Sequence, residues 1–572
     1  MTTKTIRLCK QIGVGLGISI ISSYALAQQA VPTQVSEPVL RAHLSFLADD
    51  LLEGRGTGQR GGDLAVRYLE TQLSLMGLHT LPSDQVKGYR QAVSLVGSKT
   101  LPESTVSFEI NGQTFSPQLG TEVVFGSSGG KADVAFDAPV VFVGYGVRAS
   151  EERWDDFKGV DLNGKLLVMM VNDPQPTAEE PNRFAGKALT YYGRWTYKYE
   201  EAVRQGAAGV LLIHTTPSAT YAWNVPQTSF SHERFSIANT GNALEGWMQD
   251  AVAQQLFSRA GVNLDQLRAR AETREFAPVS LNAIAHVKLK SQVRKVEQFN
   301  VIGMVPGTDP QLKSQAVVYS AHWDHLGMET RSDGSSHIWN GAVDNASGSA
   351  ALLAMAQAAV QHPAKRTQIF FWPAAEEQYL LGSAAYVTNP PWPLAKTAAD
   401  LNLDSMNFVG KTRDIGIEGS ERSSLHSNAV NVAKKMGLEI AKAAPDLGGA
   451  FFRADHFNFA RAGVPAFNVG SAVFSGDGHF DFVQQGQMDA SGKMLGFKND
   501  YHTERDKYHA EWDLSGMQQQ AQFTLNLGYD IANTKTMPVW NKGEAFGKKR
   551  DSAVAASASS ASSASSAPSL TN

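Results

Sequence analysis

The sequence predicts an α/β fold in which a mixed, mostly parallel sheet is sandwiched by helices. From about Gln298 onward, short apolar runs typical of buried strands alternate with helical segments, and this alternation places parallel strands between layers of helix. Several of the runs are followed directly by His, Asp or Glu, and ligands bind at the carboxyl ends of strands in such sheets. With 572 residues, 42% of them hydrophobic, the chain can also accommodate a second folded unit.

The first segment of the chain has the pattern of a secretory signal. Three basic residues among the first ten precede an apolar run over residues 12–25, which ends in Ala25-Leu26-Ala27. The run is shorter than the roughly 20 residues that span a bilayer, so we expect cleavage after Ala27 and no stable membrane insertion afterwards. The protein is therefore predicted to be exported, either to the periplasm or to the medium. The only cysteine, Cys9, lies in this segment, so the mature chain would contain no disulfide.

The charge balance argues against two classes of partner. The formal net charge is −4, which gives no large field of one sign, so neither nucleic acid nor an anionic membrane surface is expected as a partner. Small molecules or peptides are the expected partners.

The segments after the signal differ in their sequence patterns, and these differences indicate how the chain is divided into domains. The loop LADDLLEGRGTGQRGG precedes an amphipathic helix that ends at Gly77. Residues 139–284 contain predicted strands such as PVVFVGYGV and GVLLIH and a helix over 195–205, but none of the spaced His, Asp and Glu motifs found later. We interpret 139–284 as an inserted domain that separates 28–138 from 285–545 of the main domain. The alternative is that it belongs to one large sheet.

The elements predicted after the insert follow in order: the strands NVIGMVPG and QAVVYSAH, a helix from Ser347 to Val360, the strand TQIFFWPA, a helix near Ser383, and the strands ADLNLD and GVPAFNVG. Residues 546–572 form the last segment, which from about Ser552 is almost wholly Ala and Ser. Such a composition has too little apolar bulk for a core, so we expect this tail to be disordered.

Two candidate ligand motifs follow the second strand. QAVVYSA ends directly in His322-Trp323-Asp324, and side chains two residues apart share a face where the extended conformation continues. One of them can bind a metal while the other orients it or the substrate. Asp344 follows in the turn GAVDNASG ahead of a helix, although Asp and Asn in this position are also favoured as helix N-caps.

Three further sites complete the candidate set. Glu376-Glu377 follows an apolar strand, and two adjacent buried carboxylates are costly unless a cation is present. A metal would let one glutamate act as a ligand and leave the other as a base. Asp404 ends ADLNLD, and His502 stands in DYHT. The resulting set provides two histidines and three carboxylates, enough for two zinc ions if one carboxylate bridges: His322, Asp344, Glu377, Asp404 and His502.

The order of these motifs resembles a known family. HWDHLG, GAVDNASG, AAEE, LNLD, RADHFNF and YHT occur in the order found in the co-catalytic zinc aminopeptidases, which are related to glutamate carboxypeptidase and the transferrin receptor. The likeness extends over most of residues 40–540, and the insert resembles the β-rich protease-associated domain that many members carry. The resemblance therefore implies a zinc-exopeptidase-like fold and an enzyme with two zinc ions per chain.

The resemblance also implies a role for each motif residue. His322 and Asp404 would hold one zinc ion, Glu377 and His502 the other, and Asp344 would bridge them. Asp324 would orient His322, Glu376 would be the general base, and Asp455 and His456 would contact the substrate. The chain has Ala454 where the family often has Ser, and Glu504 where Pro is common, which puts only local substrate contacts in doubt.

The implied activity is release of N-terminal residues from peptides, with three alternatives. A carboxypeptidase of the same family would need a basic pocket for a terminal carboxylate, and Arg453 is a candidate for it. A single-zinc glutaminyl cyclase would not need both His322 and Asp404 as ligands. A non-catalytic, receptor-like relative is disfavoured because all five ligands and the base are present.

The signal pattern yields a first prediction. The basic, apolar and small-residue zones align only for cleavage after Ala27, so the exported chain should begin at or near Gln28. N-terminal sequencing of protein recovered outside the cytoplasm tests this, and an intact Met1 on that protein would contradict it.

Overall fold

The computed structural model describes residues 34–550, except for 239, 332, 443–444, 471–482 and 484–499. The predicted signal peptide and the Ala/Ser-rich part of the predicted tail lie outside the described residues. Within the described ranges, no helix is both long enough and apolar enough to cross a membrane.

The described strands are β1 Arg90–Thr100, β2 Thr105–Ile110, β3 Gln113–Phe115, β4 Val123–Gly126, β5 Asp133–Phe142, β6 Arg148–Ala149, β7 Trp154–Asp155, β8 Leu166–Met170, β9 Gly209–His214, β10 Arg234–Ile237, β11 Glu245–Gln249, β12 Val279–Val305, β13 Ala316–Ser320, β14 Gly327–Thr330, β15 Ser336–Trp339, β16 Thr367–Trp372, β17 Thr397–Asn402, β18 Asp414–Ile415, β19 Glu439–Ile440 and β20 Ala466–Asn468.

The described α-helices are α1 Glu37–Leu47, α2 Arg60–Met76, α3 Trp195–Arg204, α4 Thr216–Ala219, α5 Asn224–Ser231, α6 Asp250–Arg259, α7 Leu264–Ala271, α8 Gly348–Gln361, α9 Leu381–Thr388, α10 Leu425–Lys435, α11 His456–Arg461 and α12 Ser515–Asn533. Each predicted helix and strand named above has a counterpart, with ends that differ by a few residues.

The central sheet has the predicted mixed, mostly parallel character. Its strands run in the order β20-β17-β13-β16-β12, and the first four are parallel to one another while β12 is antiparallel to β16. Adjacent residues of a strand point to opposite faces, so Tyr319 and Phe370 pack beneath α1, α2, α8 and α12, whereas Val318 and Phe371 pack against α9 and α11. The sheet is therefore covered by helices on both faces, as the sequence predicts.

The long strand β12 joins the main sheet to the predicted insert. Its second half pairs with β1 and β16, and its first half pairs with β2 and β5, beyond which β8, β9, β11 and β4 follow in order. The predicted boundary at 138/139 falls inside β5, and that at 284/285 falls inside β12. Among the described residues the two halves thus form one continuous 14-stranded sheet, which is the arrangement of the alternative interpretation. The division into domains stays a prediction.

The start of the predicted tail is wrong by several residues, because residues 546–550 are packed. The Phe546 ring lies 5.2 Å from that of Trp540 and 6.2 Å from that of Phe457. Arg550 is buried and donates hydrogen bonds to the carbonyls of Leu394 and Thr397, at 2.7 and 2.8 Å. A basic side chain that bonds buried carbonyls is not visible in a composition-based prediction.

Gly528 provides a test of how α12 packs on the sheet. A Cβ at this position would overlap the buried Tyr319 ring, so Gly528→Ala should lower the free energy of unfolding by about 1–3 kcal/mol through overpacking. Helix propensity alone would raise it by up to about 1 kcal/mol, so the sign identifies the cause. Chemical denaturation measures the change, and an unchanged or more stable variant would contradict the close approach.

Candidate metal centre

The carboxyl ends of three neighbouring strands bring the predicted ligands together. His322 follows β13, Glu376 and Glu377 follow β16, and Asp404 follows β17. Because β17, β13 and β16 are adjacent and parallel, their ends meet at one edge of the sheet. Asp344 reaches the same edge from the turn before α8, and His502 from the loop before α12.

Small residues allow the Asp344 turn to approach the sheet edge. Gly341 has a φ of 57°, a left-handed conformation that favours glycine, and a Cβ there would overlap the His325 ring. Gly348, the first residue of α8, lies against Asn345 and the carbonyl of Leu403. The glycines of the GAVDNASG motif thus serve close packing, while Asp344 faces the ligands.

One group of ligand atoms surrounds His322. Its Nε2 lies 3.3 Å from Oδ1 of Asp344 and 3.5 Å from Oδ1 of Asp404. A second group contains His502, whose Nε2 lies 3.2 Å from Oδ2 of Asp344 and 3.0 Å from Oε2 of Glu377. The two oxygens of Asp344 therefore face different groups, so this carboxylate is shared between them.

These separations fit zinc. Ligands about 2.0–2.1 Å from a tetrahedral ion are separated by roughly 3.3–3.5 Å, close to the nitrogen–oxygen distances of the two groups. The Nε2 atoms of His322 and His502 are buried without a hydrogen-bond partner in the described structure, and a buried nitrogen without a partner is costly unless something else satisfies it. A metal ion between the ligands would satisfy both.

Glu376 lies beside the first group without belonging to it. Its Oε2 is 3.9 Å from Nε2 of His322, and the side chain lines the cavity described below. Burial raises the pKa of this carboxyl well above its usual range. A carboxyl group with a raised pKa at the edge of a cavity suits proton transfer.

Glu377 is held differently although it is the next residue. Its Oε1 lies 2.7 Å from Nδ1 of His325, and its Oε2 faces His502. His325 is buried and was not among the predicted site residues, although it stands in the HWDHLG motif. Ligand atoms of His325, Asp344 and Glu377 all lie within 4.8 Å of one another, so His325 either orients Glu377 or joins the second group.

Asp324 contacts different atoms from those expected. Its carboxylate is 3.8 Å from Nδ1 of His322, and the carbonyl oxygen of Asp324 instead accepts from that nitrogen at 3.1 Å. The carboxylate accepts the backbone N–H groups of Glu376 and Glu377, at 3.0 and 3.4 Å. Burial raises the pKa of Asp324 to about 6. Asp324 thus fixes the backbone of the glutamate pair as well as the ring of His322.

Arg55 and Asp506 support the site from outside the predicted set. The buried Arg55 donates to the carbonyls of Trp323, Asn340 and Gly341, at 2.7, 2.7 and 2.8 Å, and also to that of Leu47. It therefore joins the His322 and Asp344 loops. Asp506 accepts the N–H groups of Val343 and Asp344, at 2.8 and 3.1 Å. The only sequence signal for Arg55 is its place in the glycine-rich GRGTG loop.

Asp455 and His456, expected to contact substrate, are both buried. Asp455 accepts from the hydroxyl of Ser383, and the His456 ring lies 4.9 Å from that of Phe451. Neither lines the cavity beside Glu376, although Arg453 and Phe457 on either side of them do. The structure thus places both residues behind the wall of the cavity, where they support it.

The cavity next to the two glutamates has a volume of about 390 Å³. Glu376, Glu377, Tyr501 and His502 form its metal-centre side, and most of the opposite wall comes from the region of α3, α5 and β11. This wall carries several aromatic side chains, and Trp195 lies edge-on to Tyr379 of the loop after β16, with ring centres 4.8 Å apart. The region between β1 and β12 therefore shapes access to the site.

Comparison with known proteins identifies the chain as a metallopeptidase. Residues 300–527 match the model of peptidase family M28. The matched range contains every predicted metal ligand.

Curated relatives share part of the sequence. The probable leucine aminopeptidase 1 of Trichophyton verrucosum (strain HKI 0517) is 25% identical over 278 residues, which are 47% of this chain and 67% of that protein. Leucine aminopeptidase 1 of Trichophyton rubrum is 24% identical over 278 residues, with the same coverage.

Two solved structures are also similar. The aminopeptidase from Aneurinibacillus sp. strain AM-1 has a TM-score of 0.49 at 18% identity, covering 89% of this chain and 96% of that one. The peptidase M28 precursor from Shewanella amazonensis SB2B has a TM-score of 0.41 at 17% identity, covering 88% and 98%.

Arg55 provides a test of how the two loops are held. Arg55→Lys keeps the charge but cannot bond four carbonyls at once, so we expect a loss of about 2–4 kcal/mol in the free energy of unfolding and weaker metal binding. Denaturation and metal titration measure the two effects. Arg60→Lys is the matched control, because the Arg60 side chain is 70% exposed. Equal, small effects in both variants would contradict the proposed support.

Proposed function

We propose that this metallopeptidase is an aminopeptidase that holds two zinc ions and uses Glu376 as its general base. The observation that carries the proposal is the pair of ligand groups that share Asp344, next to a buried glutamate at the edge of a cavity. His322 and Asp404 would hold one ion, and Glu377 and His502 the other. Asp344 would bridge the two.

The zinc ions would polarise the scissile carbonyl and lower the pKa of water toward about 7. Glu376 would accept the proton of the attacking water and donate it to the departing amine. Burial raises the pKa of the Glu376 carboxyl, and a raised pKa favours acceptance of the proton from water. Asp324 would keep the base in place through the backbone N–H of Glu376.

The contacts of the two glutamates support different roles. Both oxygens of Glu377 face histidine nitrogens, at 2.7 and 3.0 Å, which suits a fixed ligand. Oε2 of Glu376 is 3.9 Å from Nε2 of His322, and the side chain lines the cavity. A base needs such a position, because it must reach both water and the leaving group.

The aminopeptidase direction is supported by the relatives, which are named leucine aminopeptidases. A carboxypeptidase remains the main alternative, since Arg453 lines the cavity. Two ions per chain would argue against a single-zinc glutaminyl cyclase, and turnover would argue against a receptor-like role. Export, and a protease-associated domain within residues 139–284, are further parts of the proposal that rest on sequence.

The neighbouring glutamates give the most discriminating test. In Glu376→Gln the ligands remain but the amide cannot accept a proton, so kcat should fall by roughly 10²- to 10⁴-fold while zinc stays at two per chain. In Glu377→Gln the neutral amide is a poorer ligand, so zinc affinity should fall and excess zinc should partly restore activity. Hydrolysis of aminoacyl reporter substrates and metal analysis of both variants provide the data.

N-blocked and carboxyl-terminal substrates are included as controls for direction. If Glu376→Gln loses zinc while Glu377→Gln keeps it, the two roles are reversed. If both variants stay fully active, the site lies elsewhere. Cleavage of N-blocked peptides from their carboxyl end would replace the aminopeptidase by a carboxypeptidase.

A further inference from the structure

We propose that Arg194 and Arg453 form a subsite that binds a carboxylate of the peptide substrate. This inference rests on the proposed function and names the substrates it favours. Both arginines line the cavity that also contains Glu376 and Glu377, so a peptide held at the metal centre can reach them within one cavity. Arg194 comes from the region of the predicted insert and Arg453 from the main domain.

The two guanidinium groups lie next to each other. Nη1 of Arg194 is 3.4 Å from the carbonyl oxygen of Gly448, and Nε of Arg453 is 3.1 Å from the same oxygen. One neutral carbonyl oxygen does not balance the charge of two guanidinium groups. Guanidinium donors are arranged as a planar fork that matches a carboxylate, so an anion between the two groups would use donors that a carbonyl leaves free.

The other charged residues in the cavity wall are already paired. Glu200 accepts two hydrogen bonds from Arg461, both at 2.9 Å, and Glu245 lies 2.6 Å from Arg234. No ion pair to Arg194 or Arg453 occurs within the part of the chain that the structure describes. Away from the metal centre, the described wall thus carries an excess of positive charge at this pair alone.

Arg194 is half-buried whereas Arg453 is exposed, so the cost of the unbalanced charge falls mainly on Arg194 and favours an anion beside it. Nε of Arg194 is buried without a hydrogen-bond partner among the described residues. Burial and then the neighbouring Arg453 lower the pKa of Arg194 to about 9, a physical sign that two cations are held close together. A substrate carboxylate would relieve both the repulsion and the missing hydrogen bond.

A carboxylate can come from two places on a peptide. It can be the terminal carboxylate of a short peptide whose first residue occupies the metal centre, or it can be the side chain of Asp or Glu. The chemistry of binding is the same, so one experiment with matched substrates separates them. Leu-Gly-Gly is compared with its C-terminal amide, and Leu-Glu-amide with Leu-Gln-amide.

The measured quantity is the ratio of kcat/KM for each acid to that of its neutral partner. A charge-assisted hydrogen bond contributes about 1.5–3 kcal/mol, so in the unmodified protein we expect at least one ratio of about 10 to 100. Arg453→Ala should reduce that ratio about tenfold or more, and Arg194→Lys should reduce it less. The Arg453 side chain is exposed, so its removal should leave folding intact, which a melting temperature checks.

Arg148→Ala is the matched control. It removes the same charge from the region of the insert, but Arg148 does not line the cavity, and its partner is Asp155, 3.6 Å away. Its ratios should equal those of the unmodified protein. A terminal-acid preference that is lost with Arg453 assigns the subsite to peptide ends, and a Glu-over-Gln preference assigns it to acidic side chains.

Either preference supports the proposal. Ratios near one in the unmodified protein would overturn it, as would ratios that Arg453→Ala leaves unchanged. Failure of the proposed function is distinguishable, because the neutral peptides would then not be hydrolysed at all.

Discussion

Repulsion among buried carboxylates at the carboxyl edge of the central sheet is the constraint on which this structure depends. Asp324, Asp344, Glu376, Asp455 and Asp506 are all buried, and burial of like charges is costly without cations. Arg55 supplies one fixed positive charge nearby. Cations that bind between the ligands would offset more of the negative charge, and the two ligand groups that share Asp344 are suited to hold them.

Backbone N–H groups stabilise part of this buried negative charge. The carboxylates of Asp324 and Asp506 accept N–H groups from the loops that carry Glu376, Glu377 and Asp344. The backbone of the ligand loops donates these bonds to the supporting carboxylates, so the ligand side chains stay available. Hydrogen bonding to the ionised form also opposes the rise in pKa that burial produces.

The different surroundings of Glu376 and Glu377 arise in the loop that follows β16, which ends at Trp372. The two adjacent side chains of this loop point in different directions. Glu377 faces His325 and His502, whereas Glu376 faces the cavity. Residues between β1 and β12 form the far wall of that cavity, so the region of the insert contributes directly to its shape.

The sequence alone determined the architecture of the main sheet and most of the candidate site. His322, Glu376-Glu377 and Asp404 each follow an apolar strand. Because parallel strands end at one edge of a sheet, this pattern predicts that the four residues lie close together there. The Gly77 helix end and the helices after Asp344 and near Ser383 were also predicted from local pattern. Periodicity and stop signals are local properties, and local properties can be found without knowledge of the fold.

Only the tertiary structure decided the contacts between distant segments. Arg55 bonds to carbonyls up to 286 residues away, and His325 meets Glu377 across 52 residues; neither contact has a fixed sequence spacing. The same holds for Asp455 and His456, whose motif gave no indication that they lie behind the cavity wall. The continuity of β12 across the predicted boundary likewise depends on which strands pair with it. These features arise from packing and long-range hydrogen bonding, which a one-dimensional pattern does not contain.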